Sequence, residues 1–241
     1  MTYRALLAID TATEACSAAL LVGDAMIERS EIAPRRHAEL ILPMIESLLA
    51  EAGISRRQLD GIAVGRGPGA FTGVRLAISI AQGLALGLDL PVVPVSSLAA
   101  LALDAPVDAA NRDNAILAVI DARMGEIYTG AFARSADGLV EALGLETVGH
   151  ADKLVLPRGA QTNLGRWSVV GSGWDTYREA LSARLPAPPY FADGARYPQA
   201  RAVLRLAAPQ FARGAGVSPE AALPVYLRDK VALTLDEQRA R

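Results

Sequence analysis

The apolar positions of this chain change period several times, and each change marks an element. Residues 5–9 form a continuous apolar run that stops at Asp10, the pattern of a strand covered on both faces. Residues 16–22 and 25–32 read as two more strands, with Gly23-Asp24 as the turn of a hairpin between them. From residue 37 to 52 the period becomes helical, and Leu40, Ile41, Met44, Ile45, Leu48 and Leu49 fall on one face. Gly53 closes this helix, and Ser55 is placed to cap a short turn. Residues 61–64 read as a strand, 74–88 as a second helix, and 90–95 running into 96–103 as a third strand-helix unit. The order is β-β-β-α-β-α-β-α.

Residues 104–114 are polar, contain Pro106 and read as a connector. Strands are predicted beyond it at 115–121 and 127–133, joined through Arg123-Met124-Gly125-Glu126. One strand is expected near 143–148. Residues 168–170 form another, ending in Gly171-Ser172-Gly173 before a short helix at 176–184. Residues 186–189 read as a loop and 199–213 as a helix; the charged end is expected to be disordered from about residue 229. The second half is a weaker copy of the first, with strands leading into a glycine turn and a helix.

Between the strand at 61–64 and the helix from 74 lies Gly65-Arg66-Gly67-Pro68-Gly69-Ala70-Phe71-Thr72-Gly73-Val74-Arg75. Glycines around a proline of fixed φ let the backbone turn tightly and approach something closely. Thr72 is positioned to cap the helix, whose free N–H groups would favour an anion, and Arg75 in its first turn would meet a phosphate or an acidic partner. The Gly65-x-Gly67-x-x-Ala70 spacing matches a loose dinucleotide fingerprint, but Pro68 stiffens the turn, three strands and a helix precede it, and Asp89 precedes its strand. Two readings stay open, an anion cradle and a purely structural turn.

Asp10-Thr11-Ala12-Thr13 ends the first strand, where a carboxylate and hydroxyls suit either a metal–phosphate or a turn bonded to its own backbone. Small residues recur along the second helix at Ala77, Ala81, Gly83, Ala85 and Gly87, which fits a core seam or a surface for a partner helix.

Composition narrows the functional classes. The 241 residues are 51% hydrophobic, with 24 basic against 26 acidic side chains and a net charge of −2. No basic stripe appears of the kind that grips RNA unaided. The single cysteine, Cys16, sits on an apolar strand as a small buried hydrophobe and fits a reducing compartment. The first apolar run is cut by Asp10 and is too short for a signal peptide, and the helix at 74–88 falls short of a membrane span; a soluble cytoplasmic protein is expected. His37 and His150 are the only histidines, far apart and without cysteine clusters, so neither a metal set nor a nucleophile–base set is visible.

Several of these stretches resemble one family. Residues 7–17, the helix carrying His37 and Leu42-Pro43, residues 67–75, Asp121-Ala122-Arg123-Met124-Gly125-Glu126-Ile127-Tyr128 and Tyr226-Leu227-Arg228 are similar to the TsaB (YeaZ) family of bacterial tRNA threonylcarbamoyladenosine biosynthesis proteins. Ala70 departs from the serine that the family often carries there. The resemblance implies an α/β actin-like ATPase (sugar kinase/Hsp70/actin) fold with two duplicated lobes, here 1–103 and 104–241. It also implies a paralogue of TsaD, the subunit that transfers threonylcarbamoyl to the adenosine 3′ of the anticodon. TsaD-like chains carry His-x-x-x-His on the helix after the third strand-helix unit; Ser97 and Leu101 stand there in this chain.

The resemblance therefore implies a non-catalytic scaffold that binds a TsaD-like catalytic subunit, pairs with itself when that partner is missing, works with a TsaE-like ATPase, and meets tRNA only through the complex. No cofactor is expected on this chain alone, although ATP or ADP near the partner interface fits the family. The expected interface is formed by His37, Leu40, Ile41, Met44 and Leu48 of the first helix and Ala77, Ile80, Ala81 and Leu84 of the second. A charged residue at Ile80 or Ala81 is expected to break the contact and spare the fold. Expected nucleotide or anion contacts are Asp10, Thr11, Gly67, Pro68, Gly69, Thr72 and Arg75. The alternative is a phosphotransferase of the sugar-kinase kind using Asp10 or Asp121, although the Asp10–Thr13 turn lacks the glycine such a loop uses. A peptidase reading lacks a nucleophile–base or metal set.

Overall fold

The computed structural model describes residues 4–106, 115–157 and 167–228. Its first sheet is built around β1 (Ala5–Asp10), which is buried along its whole length because both of its faces are covered. Leu7 and Ile9 join one core and Leu6 and Ala8 another, as the alternation of a strand requires. β1 pairs antiparallel with β2 (Ala15–Val22), which pairs antiparallel with β3 (Ala25–Ile32). On its other side β1 runs parallel to β4 (Gly61–Gly65), which is parallel to β5 (Val92–Val95), giving the order β3-β2-β1-β4-β5.

The second sheet repeats this wiring. β6 (Ala115–Arg123) pairs antiparallel with β7 (Glu126–Arg134), and β7 with the short β8 (Val140–Ala142) and β9 (Thr147–His150). β6 runs parallel to β10 (Trp167–Val170), and β10 to β11 (Phe191–Asp193). The equivalence extends to side chains. Asp10 ends β1 and accepts the amide of Ala12 at 2.8 Å, while Asp121, near the end of β6, accepts the amide of Arg123 at 2.8 Å. This is the duplicated α/β architecture of the actin-like ATPase class.

Helices α1 (His37–Glu51) and α2 (Phe71–Leu88) cover the outer face of the first sheet, and α4 (Ser172–Ser182) packs on β6 over the outer core of the second. Between the sheets lie α3 (Ser97–Leu103) and α5 (Ala200–Ala212), and each belongs by packing to the opposite half. α3 ends the first half but lies on β6 and β7, with Leu98 and Leu101 against Ile116 and Ala118; α5 ends the second half but lies on β1, β2 and β4. Residues 200–222 thus return to the first sheet: Val217 bridges Val92, and Ala222 enters the outer core. The boundary expected at 103/104 separates the two sheets but not the layers packed on them.

The strand-helix order of the first half stands, with shifts of a few residues. Gly53 follows α1 at φ 66, and Gln58 accepts the Ser55 amide at 2.9 Å around the 3₁₀ turn Arg56–Gln58. α2 starts three residues early, at Phe71, so Thr72 lies inside it and Ala70 is the cap. At 18 residues and mean hydropathy 1.4, α2 has by length and composition what a membrane span needs, contrary to expectation; here Val74, Ala77, Ile78, Ala81 and Ala85 of α2 pack into the core. α4 starts at Ser172 rather than 176, because Gly171 at φ 110 is its cap. The region near 143–148 holds the end of a loop and the start of β9, and β11 was not expected. Parts of the connector, residues 158–166 and the charged end from 229 lie outside the described residues.

Candidate functional site

The C-terminal ends of β1 and β6 face each other across a cleft of about 400 Å³. The β1–β2 turn (Ala12, Thr13, Glu14), the start of α1 (Pro34, Arg35, His37) and the glycine turn (Pro68, Gly69, Ala70, Phe71) form one wall. Ile120, Asp121, Ala122, Arg123 and Tyr128 form the other, and the segment 225–228 closes one end.

The two motifs singled out in the sequence touch each other in the first wall. A Cβ added at Gly69 would lie 2.2 Å from the Ala12 carbonyl oxygen, and one at Gly73 2.0 Å from that of Thr11. The glycines are there so that backbone can lie on backbone. The Ala70 amide donates to the Ala12 carbonyl at 2.7 Å, and the Thr11 hydroxyl to the Gly73 carbonyl at 2.7 Å. Thr11 and Asp10 are fully buried. Asp10 accepts the Ala12 amide on one oxygen and the Ser97 hydroxyl, at 3.0 Å, on the other. Burial pushes its carboxyl up from 3.8 to about 6, against the pull of these two bonds and of nearby His37.

This arrangement corrects the expected anion site. Asp10 and Thr11 present no free polar atom to a ligand, because their partners lie inside the wall. Pro68 and Gly69 do line the cleft; Gly67, at φ 87, accepts the Ser97 amide at 3.0 Å. Thr72 is exposed on α2. Arg75 is exposed but occupied: it donates to the Tyr226 hydroxyl at 2.6 Å and lies over the Phe71 ring at 3.7 Å. The tight structural turn is the reading that the geometry supports.

Residues that sequence reasoning had quoted only as parts of motifs carry the contacts across the cleft. Arg123 holds Asp121 at 2.8 Å and reaches over to Glu14 at 2.7 Å. The strap 222–228 starts on the first lobe, where the Ala222 carbonyl accepts from Gln82 and the Val225 amide donates to the Arg66 carbonyl at 2.9 Å. It ends on the second, where Arg228 donates to the Ala122 carbonyl at 3.0 Å and pairs with Glu126. A second link joins Arg66 to Glu146, which also takes the Ser96 hydroxyl. The recurrence of Tyr226-Leu227-Arg228 as a motif was the only sequence signal for the strap.

The expected interface residues divide by burial. Ile41, Leu48, Ala77 and Ala81 are in the core beneath their helices, so they cannot touch a partner, and a charge at Ala81 would strike the core. His37, Leu40, Met44, Ile80 and Leu84 are half-buried, with His37 turned to the cleft. The small-residue stripe of α2 separates in the same way: its alanines face the sheet, while Gly83 and Gly87, one turn apart, have nothing within 4 Å of an added Cβ. Beside them Leu86 is 75% exposed, and on α1 Leu42 is 48% exposed. Ser97 donates to Asp10, and Leu101 is buried against β6. Cys16 is buried as expected, its thiol pushed up to about 11 by burial and by Asp10, and His150 bonds the Gly125 carbonyl at 3.0 Å.

Comparison with known proteins places this geometry. Residues 28–234 match the family model of the tRNA N6-adenosine threonylcarbamoyltransferase, TsaD. The chain is 41% identical to the tRNA threonylcarbamoyladenosine biosynthesis protein TsaB of Escherichia coli (strain K12), covering 94% of this chain and 96% of that one. It is 37% identical to TsaB of Haemophilus influenzae, with 94% of each chain covered. Among solved structures, YeaZ from Pseudomonas aeruginosa superposes with a TM-score of 0.82 at 43% identity, covering 92% of this chain and 99% of that one.

Proposed function

This chain belongs to the TsaB (YeaZ) family of tRNA threonylcarbamoyladenosine biosynthesis proteins, and we propose that it acts there as a non-catalytic subunit that binds a TsaD-like catalytic subunit and is needed for its activity. One observation carries the reading: on the outward sides of α1 and α2, Leu42 and Leu86 stand exposed among the described residues. Gly83 and Gly87 leave open space next to Leu86 on α2, which lets a second helix approach closely, and Leu42 is exposed on α1. Half-buried Leu40, Met44, Ile80 and Leu84 pack against the core beneath the two helices.

The occupant is a matching helix pair on the partner, or a second copy of this chain when the partner is missing. Supporting the non-catalytic part, the two positions that hold metal-binding histidines in TsaD-like chains do fold-building work here, Ser97 on Asp10 and Leu101 in the inter-lobe core. The phosphotransferase alternative needs a reachable carboxylate, and Asp10 is fully buried while Arg123 holds Asp121. A TsaE-like ATPase and a bound ATP or ADP belong at the junction with the partner, and tRNA is met through the complex. With 24 basic against 26 acidic residues, this chain does not supply most of the affinity for RNA.

Size-exclusion chromatography with light scattering, on the protein alone and mixed with its cognate TsaD-like subunit, tests this reading. A mixed complex is expected, and Leu86→Glu should abolish it with the circular dichroism unchanged. A protein indifferent to that subunit, or a complex that survives Leu86→Glu undiminished, would overturn the reading or its interface.

A further inference from the structure

The strap 222–228 has no regular secondary structure, yet side chains of α2 hold its first half in place. Gln82 donates to the Ala222 carbonyl at 3.1 Å, and Arg75 donates to the Tyr226 hydroxyl at 2.6 Å. The strap therefore runs antiparallel to α2, with residue 222 beside residue 82 and residue 226 beside residue 75. Positions 71, 75, 82 and 86 share one side of a helix, so the strap lies along the side that begins at Phe71 and ends at Leu86. It builds part of that surface itself: Leu223 is 61% exposed and Tyr226 47%, beside Phe71 at 45%. The Arg75 guanidinium lies 3.7 Å over the Phe71 ring and 5.5 Å from the Tyr226 ring centroid, with no carboxylate paired to it among the described residues. Exposed aromatic rings stacked with an arginine are the side chains that most often anchor a protein interface. The other end of the strap belongs to the second lobe, where Arg228 donates to the Ala122 carbonyl and pairs with Glu126 across the β6–β7 turn. Among the described residues, the bond from the Val225 amide to Arg66 is the only backbone-to-backbone hydrogen bond of residues 223–228.

We propose that the catalytic subunit docks on the strap as well as on the helices, and that docking there fixes the second lobe against the first. The proposal rests on the reading of α1 and α2 as the partner's face, and it adds Phe71, Arg75, Leu223 and Tyr226 to that face. The partner surface that fits is an apolar patch bordered by a carboxylate, which accepts from Arg75. A segment held by so few backbone bonds loses freedom when its exposed side chains are covered. Arg228 passes that ordering to the β6–β7 turn, so occupation of the face and the set of the two lobes are linked.

The test uses the full chain and its cognate TsaD-like subunit, with affinity read by calorimetry and amide exchange read on the free protein and the complex. Leu223→Asp puts a charge on an exposed side chain; it should lower the affinity about tenfold or more and leave the urea midpoint unchanged. Binding of the wild type should slow exchange in the strap and, about fivefold or more, at the β6–β7 turn. Arg228→Ala should still bind and still slow the strap, but the β6–β7 turn should exchange as in the free protein. A wild type that does not bind the subunit removes the reading of α1 and α2, and this proposal with it. A complex lost in Leu86→Glu but undiminished in Leu223→Asp overturns this proposal alone. So does a wild-type complex whose β6–β7 turn exchanges as fast as in the free protein.

Discussion

Asp10→Asn separates a structural carboxyl from a ligand-binding one. In the wild type the carboxyl is fully buried and pushed from 3.8 to about 6, first by loss of water, with the Ala12 amide and Ser97 hydroxyl pulling the other way. A folded-state value above the unfolded one means that the native protein holds the proton more tightly. The stabilisation is therefore fully present below the unfolded value and is lost as pH rises through the folded one. With 3.8 and about 6 as the two values, the whole span is worth about 3 kcal/mol. Roughly half of it, about 1 kcal/mol, is gained on going from pH 8 to pH 5, by the same linkage. Asparagine keeps an oxygen for the Ala12 amide and offers its own amide to Ser97, and it does not titrate.

The difference in unfolding free energy, wild type minus Asp10→Asn, should therefore rise by about 1 kcal/mol between pH 8 and pH 5. Subtraction cancels the groups common to both proteins that do not interact with Asp10; His37 and Cys16, which do, stay in the difference. Urea unfolding is followed by far-UV circular dichroism as well as by tryptophan fluorescence, because Trp167 and Trp174 both report the second lobe. A difference that stays flat from pH 8 to pH 5 would refute the buried, unliganded carboxyl. A wild type that gains against the variant as pH rises would mean that the site favours the charged form, as an anchored cation would.

Two further expectations concern the walls of the cleft. Gly73→Ala should cost several kcal/mol, of the order of 3–5, because the new methyl would sit 2.0 Å from the Thr11 carbonyl oxygen and backbone must shift; a midpoint in urea within error of wild type would contradict the close packing. Tyr226→Ala removes the ring that stacks on Phe71 at 5.6 Å and the hydroxyl that receives Arg75, both part-exposed, so about 1 kcal/mol of stability should go. Faster proteolysis near residues 222–228 should accompany it, and unchanged cleavage would mean that the strap does not depend on this stack.

The elements that a regular period marks were legible in the sequence: β1 as an unbroken apolar run, the β2–β3 hairpin, and α1 by its single apolar face. The short strands β8, β9 and β11 were not, because three or four partly exposed residues carry no readable alternation and are strands only by pairing. The start of α4 was hidden by Gly171-Ser172-Gly173, which reads as a turn but places a cap at Gly171 and brings Gly173 against Val119. On α2, alanine and glycine look equally small in sequence, and only packing shows that the alanines face in and Gly83 and Gly87 face out. At the site, the sequence supplied the right segments but not their contacts with one another. Asp10, Thr11 and the glycines were grouped as ligand contacts when they are contacts of one another. Glu14–Arg123 and Arg228–Glu126 join positions about a hundred residues apart, which no local pattern reveals.

Amide hydrogen exchange of this protein, alone and saturated with the TsaD-like subunit, tests the central claim most directly. The account predicts slowed exchange concentrated in peptides covering His37–Glu51 and Phe71–Leu88, whose outward face carries Leu42, Gly83, Leu86 and Gly87. Protection that appears instead on α4 or α5, with α1 and α2 unchanged, would contradict it.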